Sequence, residues 1–151
     1  MKTKEKKFRI QTSLLFLILF PLMTGMSSCK KDQTLDINIT KYQWELKLIT
    51  INSKEYKKPS GDFHLSDAYI LRFENDSILW LNLSTNQGYG VYQIPSKGNI
   101  AVTSYSNTTE IAMTDFDYKL LSVFKLMTSY TVKGNTLTFK GNGSEVEFMK
   151  K

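Results

Sequence analysis

The sequence predicts a mostly β domain, an antiparallel sandwich or barrel, carrying one amphipathic helix. Three observations lead there. From residue 42 onward, short apolar stretches alternate with polar residues at period two, the mark of half-buried strands. Turn compositions rich in Asn, Asp, Ser, Gly and Pro separate those stretches at short intervals. A single stretch, residues 115–127, changes to helical spacing.

The first strand is read from Tyr42, Trp44, Leu46 and Leu48, which alternate with Gln43, Glu45 and Lys47. Ile49 and Ile51 fall on the opposite parity, which predicts a bulge or an end-of-strand twist. Residues 52–62, with Pro59, Ser60 and Gly61, read as a surface loop. Strands at residues 69–73 and 78–83 flank the turn composition of residues 74–77. Residues 84–88 lead into a strand at 89–94, and residues 95–99 turn the chain into another at 100–105. Near the end, residues 130–133, 136–139 and 145–149 are short strands around Gly134 and Asn135, then Gly141, Asn142 and Gly143. The expected total is about seven or eight strands.

Between these strands, Phe116, Leu120, Val123, Phe124 and Met127 recur at helical spacing. Thr114 can cap that helix, and Asp115 and Asp117 sit where its positive end favours carboxylates. The two aspartates could also serve as a general acid/base pair, but capping is the simpler account of both. Phe116, Leu120, Phe124 and Met127 are expected to lie buried against the sheet.

The N-terminal segment has a different character. Lys2, Lys4, Lys6, Lys7 and Arg9 precede an apolar run at residues 14–23, and then come Met26, Ser27, Ser28 and Cys29. This is the order of a secretory signal, and a cysteine after two small residues makes it a lipoprotein signal. A membrane-spanning helix needs about 20 apolar residues, and this run, broken by Pro21, is far shorter. The expected organisation is a signal peptide at 1–28, a lipid anchor on Cys29 with a polar tether through residue 40, and a β domain at 41–151. Lys30 rather than aspartate follows Cys29, which by enteric-type sorting favours the outer membrane over the inner one.

Cleavage before Cys29 removes five of the 20 basic and one of the 14 acidic residues, so the net charge falls from +6 to +2. The basic balance belongs largely to the leader, and no basic run interleaved with aromatics survives to suggest nucleic-acid binding. Cys29 is the one cysteine, so no disulfide can hold the domain and its apolar core must.

Groups suited to catalysis are sparse. His64, the one histidine, stands between Asp62 and Asp67 in a polar stretch. The three could ligate a metal, but a lone loop imidazole more commonly faces solvent. A Ser-His-Asp triad would need that same histidine, and no Gly-x-Ser-x-Gly elbow is present. Ser122 and Lys125 spell Ser-x-x-Lys, yet the companion acyl-enzyme motifs are missing and Val123 and Phe124 belong to the apolar stripe. Gly88, Gly90, Gly141 and Gly143 read as turn and packing glycines, not as a phosphate loop. No catalytic residue, metal site or cofactor is expected.

The aromatic load has more functional content. Tyr69, Phe73, Trp80, Tyr89, Tyr92 and Tyr105 lie on adjacent predicted hairpins. They can form the core and cross-strand pairs, or a ligand or partner face of which Trp80, Tyr89, Tyr92 and Tyr105 are the candidates. A one-residue slip in register exchanges the two faces, so both readings stand at this level.

The chain from Trp44 to Phe148 resembles a META domain, the small domain of a family of heat-shock-associated bacterial envelope lipoproteins. An early Trp-x-Leu corresponds to Trp44, Glu45 and Leu46, and an Asn followed by Gly-x-Tyr to Asn86, Gly90, Val91 and Tyr92. Thr109 and Glu110 match a Thr-containing segment before the helix. The closing pattern is carried by Tyr130, Val132, Gly134, Asn135, Leu137, Phe139 and Phe148. Many members carry a cysteine where Thr85 stands here. The resemblance implies a partly open antiparallel barrel with one helix and no established catalytic activity. The combined expectation is an outer-membrane-anchored lipoprotein with a non-catalytic domain that binds an envelope protein or supports the envelope. The alternative is a lipocalin-like carrier holding a small apolar ligand in a barrel pocket.

Overall fold

The computed structural model describes residues 38–107 and 111–151. The expected signal peptide, Cys29, the expected tether through residue 37, and the Thr109 and Glu110 match lie outside the described residues. A 3-10 turn (Ile39–Lys41) leads into strands β1 (Trp44–Ile51), β2 (Lys54–Lys57), β3 (Ile70–Phe73), β4 (Ile78–Leu81), β5 (Gly88–Gln93) and β6 (Ala101–Asn107). Helix α1 (Asp115–Phe124) follows, and then β7 (Ser129–Lys133), β8 (Thr136–Gly141) and β9 (Ser144–Lys150).

The strands pair antiparallel in the order β6-β5-β4-β3-β1-β9-β8-β7, with β2 paired to β1 off this path. The two ends of the path touch at one corner. Asn99 bridges to Ser129, Ile100 N–H donates to the Thr128 carbonyl (3.1 Å), and Tyr130 N–H donates to the Gly98 carbonyl (2.8 Å). The sheet is therefore a curled, partly open barrel, as expected.

Packing follows from the period of each strand. Trp44 and Leu46 face inward, the register against β9 shifts between Leu46 and Leu48, and Ile49 regains the core. That shift is the bulge expected from the parity change. Val146 and Phe148 of β9 and Leu137 and Phe139 of β8 line the same interior. α1 closes it with Leu120, Val123 and Phe124, all buried. The Phe124 ring lies 6.0 Å from Phe139 and 6.4 Å from Tyr105, and Phe139 lies 5.8 Å from Phe148, all edge-on.

Several boundaries differ from the sequence reading. β2 occupies part of the stretch expected to be loop. Its residues are polar and mostly exposed, so they carry no alternation to read. What makes the hairpin is the turn: Asn52 and Ser53 both have positive φ (49° and 66°), the combination that a tight primed turn requires. α1 ends at Phe124, with Met127 buried in the turn beyond it, and Phe116 is half-buried instead of enclosed. Ahead of residue 41, Ile39 in the 3-10 turn is buried and its carbonyl accepts from Trp44 Nε1 (2.8 Å), so this turn packs as part of the domain.

Candidate functional site

β3 to β6 present a row of side chains on the outer face of the sheet. Arg72 pairs with Trp80, Trp80 with Tyr89, and Tyr89 with Ser106. The flanking residues Leu71, Leu79, Leu81 and Gly90 are buried on the other face, which sets the parity of the whole row. Trp80 is half-buried and Tyr89 is 39% exposed; their rings sit 5.8 Å apart at 51°. The Arg72 guanidinium lies 5.8 Å over the Trp80 ring and bonds Asp67 at 3.0 Å. Trp80 Nε1 donates to Glu74 Oε2 at 2.7 Å.

Tyr92 and Tyr105 do not belong to this face. Tyr92 is 2% exposed, and its hydroxyl donates to the Asn75 carbonyl (2.7 Å). Tyr105 is 9% exposed, and its hydroxyl donates to the Leu81 carbonyl (2.5 Å). The four expected face residues thus split into two outside and two inside. The reason is parity: Tyr89 and Tyr92 are an odd number of residues apart, and Tyr105 pairs with inward-facing Gly90. Burial raises both inward phenols above their ordinary pKa, helped by the charge of Asp76 at Tyr92 and of Asp117 at Tyr105. Gly88 exists to admit Tyr105, since a Cβ there would come 1.6 Å from the phenol oxygen.

Under the helix N-terminus lies a second polar group. Asp117 is fully buried. One carboxylate oxygen accepts from Thr114 N–H (2.9 Å), Thr114 Oγ1 (2.8 Å) and Ser84 Oγ (2.5 Å). The other accepts from Ser84 N–H (3.1 Å) and the Tyr69 hydroxyl (2.8 Å). Thr114 and Asp117 form the reciprocal capping box that the sequence suggests. The reach to Tyr69 and Ser84 is a tertiary role beyond capping. Burial opposes the charge on Asp117, but the bonds from Ser84 and Thr114 outweigh it and hold the carboxyl below its usual range. Tyr69, which adopts a positive φ of 61°, is pushed up to about 12 by burial, by its bond to Asp117 and by that charge.

The remaining candidates are not assembled. His64 and Asp62 are exposed, while Asp67 turns to Arg72. Among the described residues no three His, Cys, Asp or Glu side chains gather as a metal site. Ser122 Oγ donates to the Lys119 carbonyl, and the Lys125 ammonium lies over the Tyr105 ring instead. An open groove of about 360 Å³ runs along the β8–β9 turn, walled by Thr50, Thr128, Ser129, Lys140 and Glu145. Lys140 and Glu145 on its walls pair at 2.6 Å. Among the described residues no helix is long and apolar enough to cross a membrane.

Residues 37–151 match the model of the META domain. The chain belongs to the META domain family. Its solved neighbours share the fold at low identity. An NMR structure of a protein from Burkholderia xenovorans superposes with a TM-score of 0.59 at 14% identity, covering 75% of this chain and 83% of that one. The crystal structure of a DUF4847 family protein from Bacteroides vulgatus gives 0.54 at 11% identity, covering 74% and 94%. No curated protein matches the sequence. In this META domain, the motif residues Trp44, Leu46, Tyr92, Phe139 and Phe148 all serve the core, and Asn86 Nδ2 ties the β4–β5 loop to the Ile111 carbonyl at 2.8 Å.

Proposed function

We propose that this protein is an outer-membrane lipoprotein, held by acyl chains on Cys29, whose META domain is a non-catalytic binding module. The observation that carries the reading is the Trp80–Tyr89 pair, set on the outside of a sheet whose inner face is packed by rings. A rigid sheet can display such a pair without any proton transfer or covalent step. The buried carboxylate supports the same view. Asp117 already accepts five hydrogen bonds and is shut away from solvent, so it has no proton to give and no free lone pair directed outward. The carrier alternative needs room between helix and sheet, where Tyr105, Phe124, Phe139 and Phe148 stand edge to face.

The test is a photoreactive side chain at position 89 in the full-length, lipidated protein in intact cells. Crosslinks to an envelope component should form at 89 and not at 118, an exposed position on α1. Crosslinks at 118 with none at 89 would move the binding face to the helix.

A further inference from the structure

We propose that the Arg72–Trp80–Tyr89–Ser106 row is a stacking site for a neutral glycan chain. This rests on the binding-module reading and names the ligand class for the same face. The row runs across four strands, and neighbouring strands lie about 4.8 Å apart, so it spans roughly 14 Å, enough for two or three sugar rings laid across the sheet.

The chemistry of the row selects that ligand. Aromatic faces carry negative potential, and the C–H face of a pyranose is the complementary, weakly positive surface. The charged neighbours are answered within the domain: Arg72 is bonded to Asp67, and Glu74 accepts from Trp80 Nε1. An anionic ligand would meet the carboxylates of Asp67 and Glu74, and a cationic one would meet the Arg72 guanidinium. A neutral polyhydroxylated chain meets no such cost. Its hydroxyls fall against the rim, where Ser104 and Ser106 are exposed and the Arg72 and Glu74 heads can each share further bonds.

Size argues against a protein occupant. A stable protein interface covers about 800 Å² on each partner around a desolvated core. Here one ring is half-buried, the other is 39% exposed, and the adjacent outer residues Ile78 and Val91 are half-buried. That surface is small for a protein and sufficient for a sugar ring.

Intrinsic fluorescence provides a direct readout, because of the two tryptophans Trp44 is fully buried and Trp80 is on the face. The full-length protein in detergent is titrated with chitohexaose and with cellohexaose, two uncharged probes. At least one should give a saturable change in tryptophan emission, and Tyr89→Leu, which keeps apolar bulk but removes the ring, should weaken it at least tenfold. Tyr118→Ala should leave it unchanged. Each variant is checked for wild-type circular dichroism and melting. Saturable binding untouched by Tyr89→Leu would overturn the proposal, as would tighter binding of heparin that disappears in salt. If neither neutral probe binds while crosslinks at position 89 persist, the glycan assignment falls and the binding face stands. If both fail, the binding face falls as well.

Discussion

The Tyr69 hydroxyl donates to Oδ1 of Asp117 over 2.8 Å, joining residues 48 positions apart in the chain. Tyr69 directly precedes β3 and Asp117 lies in the first turn of α1, so the bond fixes the helix to the sheet. The helix cap and the strand entry become one polar unit, in which Tyr69, Ser84 and Asp117 are buried and Thr114 is exposed. Its energy depends on the protonation of both partners, which makes it testable by pH.

Asp117, with its lowered pKa, should stabilise the fold above the unfolded carboxylate value of 3.8 and lose that contribution as pH falls through its folded value. Tyr69, with its raised pKa, contributes below 10 and loses its part as pH climbs through about 12. Urea unfolding across pH should therefore give a plateau with a falling limb at each end. Tyr69→Phe should make the alkaline limb shallower, leaving the part that the raised phenols of Tyr92 and Tyr105 carry, and cost about 1–3 kcal/mol at neutral pH. Asp117→Ala, which orphans five donors, should cost more than about 3 kcal/mol. An unaltered alkaline limb in Tyr69→Phe would mean that the phenol does not carry this linkage.

Phe124 tests the helix as the lid of the barrel. It is 1% exposed and stands against Tyr105 and Phe139, so Phe124→Ala should cost about 3–5 kcal/mol in urea unfolding. A near-neutral result would mean that α1 does not pack as described.

Gly88 and Tyr105 should behave as a coupled pair. Gly88→Ala places a methyl on the phenol and should destabilise the domain by several times the cost of an exposed strand substitution. In a Tyr105→Ala background the same change should be milder, because the phenol is gone and only the Leu81 carbonyl, 2.6 Å from the new Cβ, still crowds it. The double-mutant cycle should return a coupling of about 1–3 kcal/mol. Additive effects would show that the two do not meet.

Much of this fold was legible because the strands that build the core alternate cleanly, as from Trp44 to Leu48 and from Thr136 to Phe139. β2 was not legible, because Lys54, Glu55 and Lys57 are polar and exposed; only the Asn52–Ser53 turn marks it. The capping role of Thr114 and Asp117 is local and could be read from their spacing. The partners Ser84 and Tyr69 could not, since they arrive from 33 and 48 residues away through strand pairing. The aromatic face was half legible: composition identifies the rings, but the register decides that Trp80 and Tyr89 face out and Tyr92 and Tyr105 face in.

Cys29→Ala tests the anchor. Labelled palmitate should be incorporated into the wild-type protein and not into the variant, which should also escape processing before residue 29. Two or more acyl chains hold a protein stably where one does not, so loss of the thiol should release the domain from the outer-membrane fraction. Wild-type fractionation of the variant would require a different tether.

Tyr89 and Tyr92 offer the sharpest contrast, because they stand on one strand and differ in the face they take. Tyr89→Ala removes a cross-strand ring from a wet surface and should cost about 0.2–1 kcal/mol. Tyr92→Ala empties a site that is 2% exposed, packs 4.9 Å from Phe73 and bonds to the Asn75 carbonyl, and should cost about 3–5 kcal/mol. The functional effects should run the other way: Tyr89→Ala should stay folded and lose crosslinking at the face, and Tyr92→Ala should lose function only to the extent that it unfolds. Unfolding melts paired with crosslinking yields for the two variants separate stability from binding. If Tyr92→Ala stayed fully folded and lost binding, the ligand would have to enter the barrel, and the face that matters would be the inner one.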